Sequence, residues 1–177
     1  MMGYYKDPER TAAVMTDDYF HTGDKGEIDK DGFLKITGRK KEMFKTSGGK
    51  YIIPTLIENA LKESNFIEQV MVIGENQKMP AALIQLNFEF VAEWISRKGF
   101  NIDKTNHSMI ASREVQERIQ QEVDNCNIRF GKWEQIKKFE LTPDPWSIDA
   151  GHLTPTMKMK RSVILKIYSS LVENIYN

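Results

Sequence analysis

Gly38-Arg39-Lys40-Lys41-Glu42-Met43-Phe44-Lys45-Thr46-Ser47-Gly48-Gly49-Lys50-Tyr51-Ile52-Ile53-Pro54 is the stretch on which the reading of this chain turns. It sets five cations, one acid and two adjacent glycines between a strand-like run ending at Ile36 and a helix opening at Pro54. Gly48-Gly49 allows positive φ or a close approach of backbone to a ligand. The lysines and Arg39 suit an anionic, phosphate-bearing ligand. Taken by itself, the stretch is better explained as a charged hairpin closed by a glycine turn, a common surface feature. It is not a Walker loop, because the spacing G-x-x-x-x-G-K-[ST] is absent.

Working outward, the bulk numbers narrow the function classes. At 177 residues the chain suits one domain plus an appendage and can bury a sizeable core. Its 25 basic and 25 acidic side chains cancel, so no global field draws it to nucleic acid or a membrane. Any basic function must be local. One cysteine, Cys126, excludes a disulfide framework and argues against a Cys-based metal site, which fits a reducing, cytoplasmic setting. Cys126 sits in a helical pattern and reads as a packing residue. No apolar run approaches the ~20 residues of a membrane span, and no signal peptide is recognisable. The sequence contains neither an internal repeat nor a low-complexity tract.

The chain alternates short elements. Asp7-Pro8-Glu9 signals a turn, and Arg10 to Met15 a short helical turn. Lys30-Asp31-Gly32 between Glu27-Ile28 and Phe33-Leu34-Lys35-Ile36 is a hairpin signal. Residues 1–38 are too short and too thinly apolar for a core of their own. Pro54 suits the first turn of a helix whose apolar face is Leu56, Ile57, Ala60 and Leu61. Glu58 near that helix start suits the dipole and reads as structural. Phe66 to Ile73 and Ala81 to Leu86 read as strands, with Val70, Val72, Leu83 and Ile84 in the core. Phe88 to Lys98 reads as a helix with Phe90, Val91, Trp94 and Ile95 inward. Residues 99–111 show no period and read as a loop, and the isolated His107 there gains no catalytic role. Ser112 is an N-cap for a helix from Arg113 to Asn125 carrying the stripe Val115, Ile119, Val123. Residues 127–135 read as a further helix or turn around Phe130 and Trp133, and Ile136 to Leu141 as a strand. Pro143, Pro145 and Gly151 mark a surface loop suited to functional residues. A single amphipathic helix from Arg161 to Tyr176 closes the chain, expected to bury Val163, Ile164, Ile167, Leu171 and Ile175. The expected fold is α+β, a small mixed or antiparallel sheet flanked by helices and preceded by a β-hairpin.

Two more stretches change the weight of the first. Upstream lie His21-Thr22-Gly23-Asp24, Gly26-Glu27-Ile28 and Asp31-Gly32-Phe33-Leu34-Lys35-Ile36. Near the C-terminus lie Glu140-Leu141, Trp146 and Leu153-Thr154-Pro155-Thr156-Met157-Lys158-Met159-Lys160-Arg161. In this order the blocks resemble the C-terminal end of adenylate-forming enzymes, and the wording K-T-S-G-G-K-Y with L-T-P-T-x-K-x-K-R looks most like a long-chain fatty-acid–CoA ligase. Each block alone is modest, and three in order are specific. The resemblance covers the chain except for the loosely placed residues 99–112.

The resemblance implies that 1–38 is the end of a larger AMP-binding domain and that 39–177 is a mobile lid. The rest of that domain, with its phosphate loop and acyl pocket, would lie outside this sequence, so the chain alone is expected to be inactive. Asp24 and Arg39 would contact the adenosine ribose, and Lys41 would be the hinge. Lys158 would stabilise the phosphate charge during adenylation. The commoner form carries Gly immediately before that lysine, where Met157 stands here, and Lys160 remains the alternative. Lys45, Gly48, Gly49 and Lys50 would serve thioester formation, the glycines passing the pantetheine arm and Lys50 meeting a phosphate of CoA or AMP. ATP/AMP and CoA are the implied cofactors, with Mg²⁺ arriving on ATP and no protein metal site. A fatty-acid substrate would imply at most peripheral contact with a membrane, at its inner face. Two other readings stay open: a lid with a different acceptor, as in acyl-carrier-protein ligases or amino-acid adenylation domains, and a non-catalytic module that binds phosphorylated partners through 39–50.

Overall fold

A computed structural model describes residues 1–177. In chain order it contains α1 (Pro8–Val14), β1 (Met15–Thr16), β2 (Tyr19–Phe20), β3 (Asp24–Ile28), β4 (Leu34–Arg39), β5 (Phe44–Lys45) and β6 (Tyr51–Ile52). There follow α2 (Pro54–Leu61), β7 (Ile67–Ile73), β8 (Ala81–Leu86), α3 (Phe88–Lys98), α4 (Asn106–Ala111), α5 (Arg113–Asn127), β9 (Lys138–Thr142), α6 (Arg161–Ile167) and α7 (Ser169–Tyr176).

The sheet β7-β8-β9 organises the molecule. β7 runs antiparallel to β8, and β9 lies parallel to it on the other side. Every residue of β8 is buried, as expected of a strand covered on both faces. The period of two then divides the side chains between two cores. Val70, Val72, Ala82, Ile84 and Leu86 face α2, α3 and α5, where they meet Ile57, Leu61, Val91, Ile95, Ile119 and Val123. Met71, Ile73, Ala81 and Leu83 face the other way, onto Trp146, Leu153, Ile164, Tyr168 and Ile175. Local side chains set the helix starts. Asn87, Thr105 and Ser112 accept from the amides of Phe90, Ser108 and Val115, and Pro54 opens α2.

The expected α+β fold, its strands and the helices at 54, 88 and 113 are all present. Two expectations are corrected. Residues 99–111 are not wholly loop: Thr105 caps α4, whose Met109 is buried in the first core. The closing helix is not continuous from Arg161 to Tyr176. It breaks at Tyr168 (φ −101°, ψ 29°), which turns a buried aromatic ring into the second core. Ile164 and Ile175 are buried, whereas Ile167 is 46% exposed because it falls off that inward stripe.

The β3–β4 hairpin stands apart from both cores. Asp29 shapes its turn by accepting from the amides of Asp31 and Phe33, each at 2.9 Å. Ile28, Leu34 and Ile36 share one face and are all exposed. Within residues 1–40 only Gly38 is buried. A Cβ there would come within 2.7 Å of Ile53 Cγ2, so only glycine lets the hairpin lie against the start of α2.

Candidate functional site

Three chain segments enclose a cleft of about 590 Å³: the end of the hairpin, the first turns of α2, and the turn before α6. Asp24, Arg39 and Lys158 all line it. Asp24 and Arg39 are register partners on β3 and β4, and Arg39 Nε lies 3.3 Å from Asp24 Oδ1. Together they offer a carboxylate that can accept from vicinal hydroxyls and a planar cation beside it.

Lys158 arrives on a tight turn. Thr154 N donates to Lys158 O and Met157 N to Thr154 O, each at 2.8 Å, and Lys158 N donates to Thr154 Oγ1 at 3.0 Å. Met157 takes φ +60°, the left-handed region that a glycine at the same position would occupy freely. The foot of the turn is fixed by an isolated bridge between Leu153 and Met159 and by Lys160 N donating to His152 O at 2.8 Å. Leu153 and His152 are buried. The His152 ring packs against both Trp146 (6.4 Å) and Tyr168 (5.8 Å), whose own rings lie 6.4 Å apart, and burial pushes its imidazole below the usual range, with the Asp144 carboxylate pulling part of the way back. Trp146 is held in turn by Gln85 and Thr142, which accept from its backbone amide and its indole N–H. A rigid base thus carries an exposed lysine, and Lys158 pairs with no carboxylate. Lys160 is exposed as well but does not line the cleft.

Beneath the turn lies a group that sequence reasoning assigned only to a helix dipole. Glu58 is 4% exposed, and Arg161 Nη2 donates to both of its carboxylate oxygens at 2.7 Å. Val72 N donates to Glu58 Oε1 at 2.8 Å, and Arg161 Nη1 donates to Val72 O at 3.3 Å, so α2, β7 and the start of α6 are tied at one point. Burial raises the Glu58 carboxyl, while the Arg161 charge, its hydrogen bond and the Val72 amide lower it; burial outweighs them. The signal was in the sequence: Pro54, Ile57, Glu58 and Leu61 form the buried stripe of α2, and a charge in such a stripe demands a partner.

The other expected residues lie elsewhere. Lys41 sits in the turn after β4 and lines a second cavity of about 420 Å³, which shares Glu42 and Arg161 with the cleft. Lys45, Gly48, Gly49 and Lys50 line neither cavity. They form the loop of the β5–β6 ribbon, which docks on the turn after β7 through Asn76 N to Lys45 O and Ser47 N to Gln77 O, both 2.9 Å. Gly49 has φ +80°, whereas Gly48 does not need positive φ and a Cβ on it would meet nothing.

A small three-stranded sheet carrying a lysine turn, next to an acid–arginine hairpin end, makes up a mixed α+β module, and comparison with known proteins gives its family. Residues 42–177 match the family described as AMP-binding enzyme C-terminal domain, and the chain belongs to that family. It is 36% identical over 175 residues to the long-chain-fatty-acid–CoA ligase FadD15 of Mycobacterium tuberculosis, covering 99% of this chain and 29% of that protein. It is likewise 36% identical to human long-chain-fatty-acid–CoA ligase 1, covering 99% of this chain and 25% of the relative. The chain therefore spans less than a third of the length of either relative. In fold it resembles the adenylation domain of a carboxylate reductase from Mycobacterium chelonae (TM-score 0.76, 22% identity, 98% of this chain and 26% of that one). The corresponding domain from Segniliparus rugosus, solved with AMP and a carboxylic acid, is similar too (TM-score 0.75, 23% identity, 98% and 26%).

Proposed function

We propose that this chain is the C-terminal part of an ATP-dependent long-chain fatty-acid–CoA ligase, with residues 39–177 acting as a lid and 1–38 belonging to the AMP-binding domain before it. The observation that carries the reading is the cleft shared by Asp24, Arg39 and Lys158. Its donor set fits a nucleotide: Asp24 to accept from ribose hydroxyls, Arg39 beside it, and the unpaired Lys158 cation for phosphate. Lys158 would stabilise charge on the α-phosphate as a fatty-acid carboxylate attacks it and pyrophosphate leaves, acting by position rather than by covalent chemistry.

For the second half, in which the CoA thiol displaces AMP, the lid would turn about Lys41 and present the loop Lys45 to Lys50. The separation of that loop from the cleft supports two working faces. Mg²⁺ would come with ATP. The partner is the enzyme's own large domain. No helix here is long and apolar enough to cross a membrane, and a cytoplasmic enzyme with peripheral membrane contact at most fits the substrate.

The test is complementation in trans with a matching large domain, following pyrophosphate release. Lys158→Ala is expected to lower that rate by about 10²-fold or more, the scale for removing one transition-state charge donor, while Lys160→Ala stays within a few-fold of wild type. An active reconstitution indifferent to Lys158→Ala would remove the assignment.

A further inference from the structure

Thr154 has no role in the reading above, yet the turn that carries Lys158 is built around it. Thr154 is half-buried and holds Lys158 at two points: its amide donates to Lys158 O at 2.8 Å, and its Oγ1 accepts from Lys158 N at 3.0 Å. Oγ1 is the one partner that Lys158 N has. A second hydroxyl, Thr156 Oγ1, lies 3.1 Å from it. Below Thr154 the chain is fixed, since Leu153 is fully buried and bridged to Met159. Above it Pro155, Thr156, Met157 and Lys158 are all exposed, so packing does little to set their path. Met157, at φ +60° immediately before Lys158, is in a backbone state that a residue with a Cβ leaves readily. The hydrogen bonds of Thr154 must therefore do what packing does elsewhere. Any residue could supply the backbone bond, but the second needs a side-chain acceptor at this position.

We propose that Thr154 is a positioning residue for Lys158. Its hydroxyl fixes the backbone from which the lysine side chain enters the cleft, and so sets where the cation stands when charge gathers on the phosphate. Thr154 itself touches no reactant. A misplacement of about 1 Å at a reacting centre can cost as much as ~10²-fold in rate, so a single hydroxyl at the root of this side chain has leverage. The proposal deepens the reading of Lys158 as the adenylation cation, and rests on it for the effect on rate.

The test has two arms. Thr154→Val keeps the shape and removes the acceptor, while Thr154→Ser keeps the hydroxyl. In this chain, exchange of the Lys158 amide hydrogen with solvent is followed by NMR. It should quicken by about threefold or more in Thr154→Val and stay at the wild-type rate in Thr154→Ser. In the enzyme reconstituted with a matching large domain, Thr154→Val should lower kcat for pyrophosphate release about tenfold with KM for ATP unchanged, because the interaction belongs to the transition state. Thr154→Ser should bring that rate back to within a few-fold of wild type. Added to Lys158→Ala, Thr154→Val should cost nothing further, since it acts only through that lysine. The proposal falls if the exchange rate is unchanged in Thr154→Val, if Thr154→Ser loses as much as Thr154→Val, if the loss lies in KM, or if the two substitutions add. An active reconstitution indifferent to Lys158→Ala overturns the adenylation reading instead, and the exchange arm then decides by itself whether the hydroxyl holds the turn.

Discussion

Met157 shows what a single residue contributes to the lysine turn. Its φ of +60° strains a side chain with a Cβ by roughly 1–2 kcal/mol, part of which is regained because methionine leaves the unfolded chain less free than glycine would, by about 0.5–1 kcal/mol. Met157→Gly should therefore stabilise the chain by up to about 1 kcal/mol, seen as a higher denaturant midpoint with an unchanged slope; a lower midpoint would mean that the turn is not left-handed there. Arg161 makes the opposite case. Removing it strands the buried Glu58 carboxylate, and Arg161→Leu should cost about 3 kcal/mol, the low end for a broken buried pair because the guanidinium keeps 28% exposure. Adding Glu58→Leu should recover more than half of that loss, since an apolar pair needs no charge compensation. Equal destabilisation of the single and double variants would show that packing, not the stranded charge, sets the cost. Glu58 was visible in the sequence as an acid in an apolar stripe. Its partner, 103 residues away along the chain, was not, because no local pattern records a long-range ion pair.

At the scale of elements, what was legible was local. The cap at Ser112, Pro54, and the strand pattern through β7 and β8 place their elements without reference to the rest of the chain. Two tertiary effects were not legible. The break at Tyr168 comes from a ring drawn into the second core, and α4 survives as six residues because Met109 has a core to enter. The same second core predicts a pH response. His152 has its proton affinity lowered by burial, so the unfolded chain binds the proton more readily than the folded one. The stabilisation this group contributes is complete above about pH 6.5 and is lost as pH falls through the lower folded value. Between pH 7.5 and 5.5 the unfolding midpoint should drop, and His152→Phe should flatten that drop while keeping a ring in the stack. An unchanged slope in the variant would place the pH dependence in other groups.

On the scale of the whole molecule, the hairpin and the lid meet through little more than Gly38 on Ile53 and the edges of the cleft. Gly38→Val should push β4 off α2, exposing 24–39 to protease while the β7–β8–β9 sheet keeps its amide protection. Equal loss of protection in both would mean that the two parts fold as one unit. The bare apolar face of Ile28, Leu34 and Ile36 fits the proposal that this hairpin completes a sheet of the large domain. The division proposed at 38–41 came from the family resemblance of Gly38-Arg39-Lys40-Lys41. The cleft itself emerged only when the fold brought residues 24, 39 and 158 to one place.

The central claim is that one lid serves two half-reactions with two faces. The measurement that tests it most directly is the separation of those halves in a reconstituted enzyme, with pyrophosphate release and acyl-CoA formation followed side by side. Gly48→Leu is a clean probe, because its Cβ meets nothing and its backbone needs no positive φ. Lys158→Ala should lower pyrophosphate release by about 10²-fold or more yet leave thioester formation from supplied acyl-adenylate, and Gly48→Leu should do the reverse. Both variants failing in the same half, or neither failing in an active reconstitution, would contradict the account.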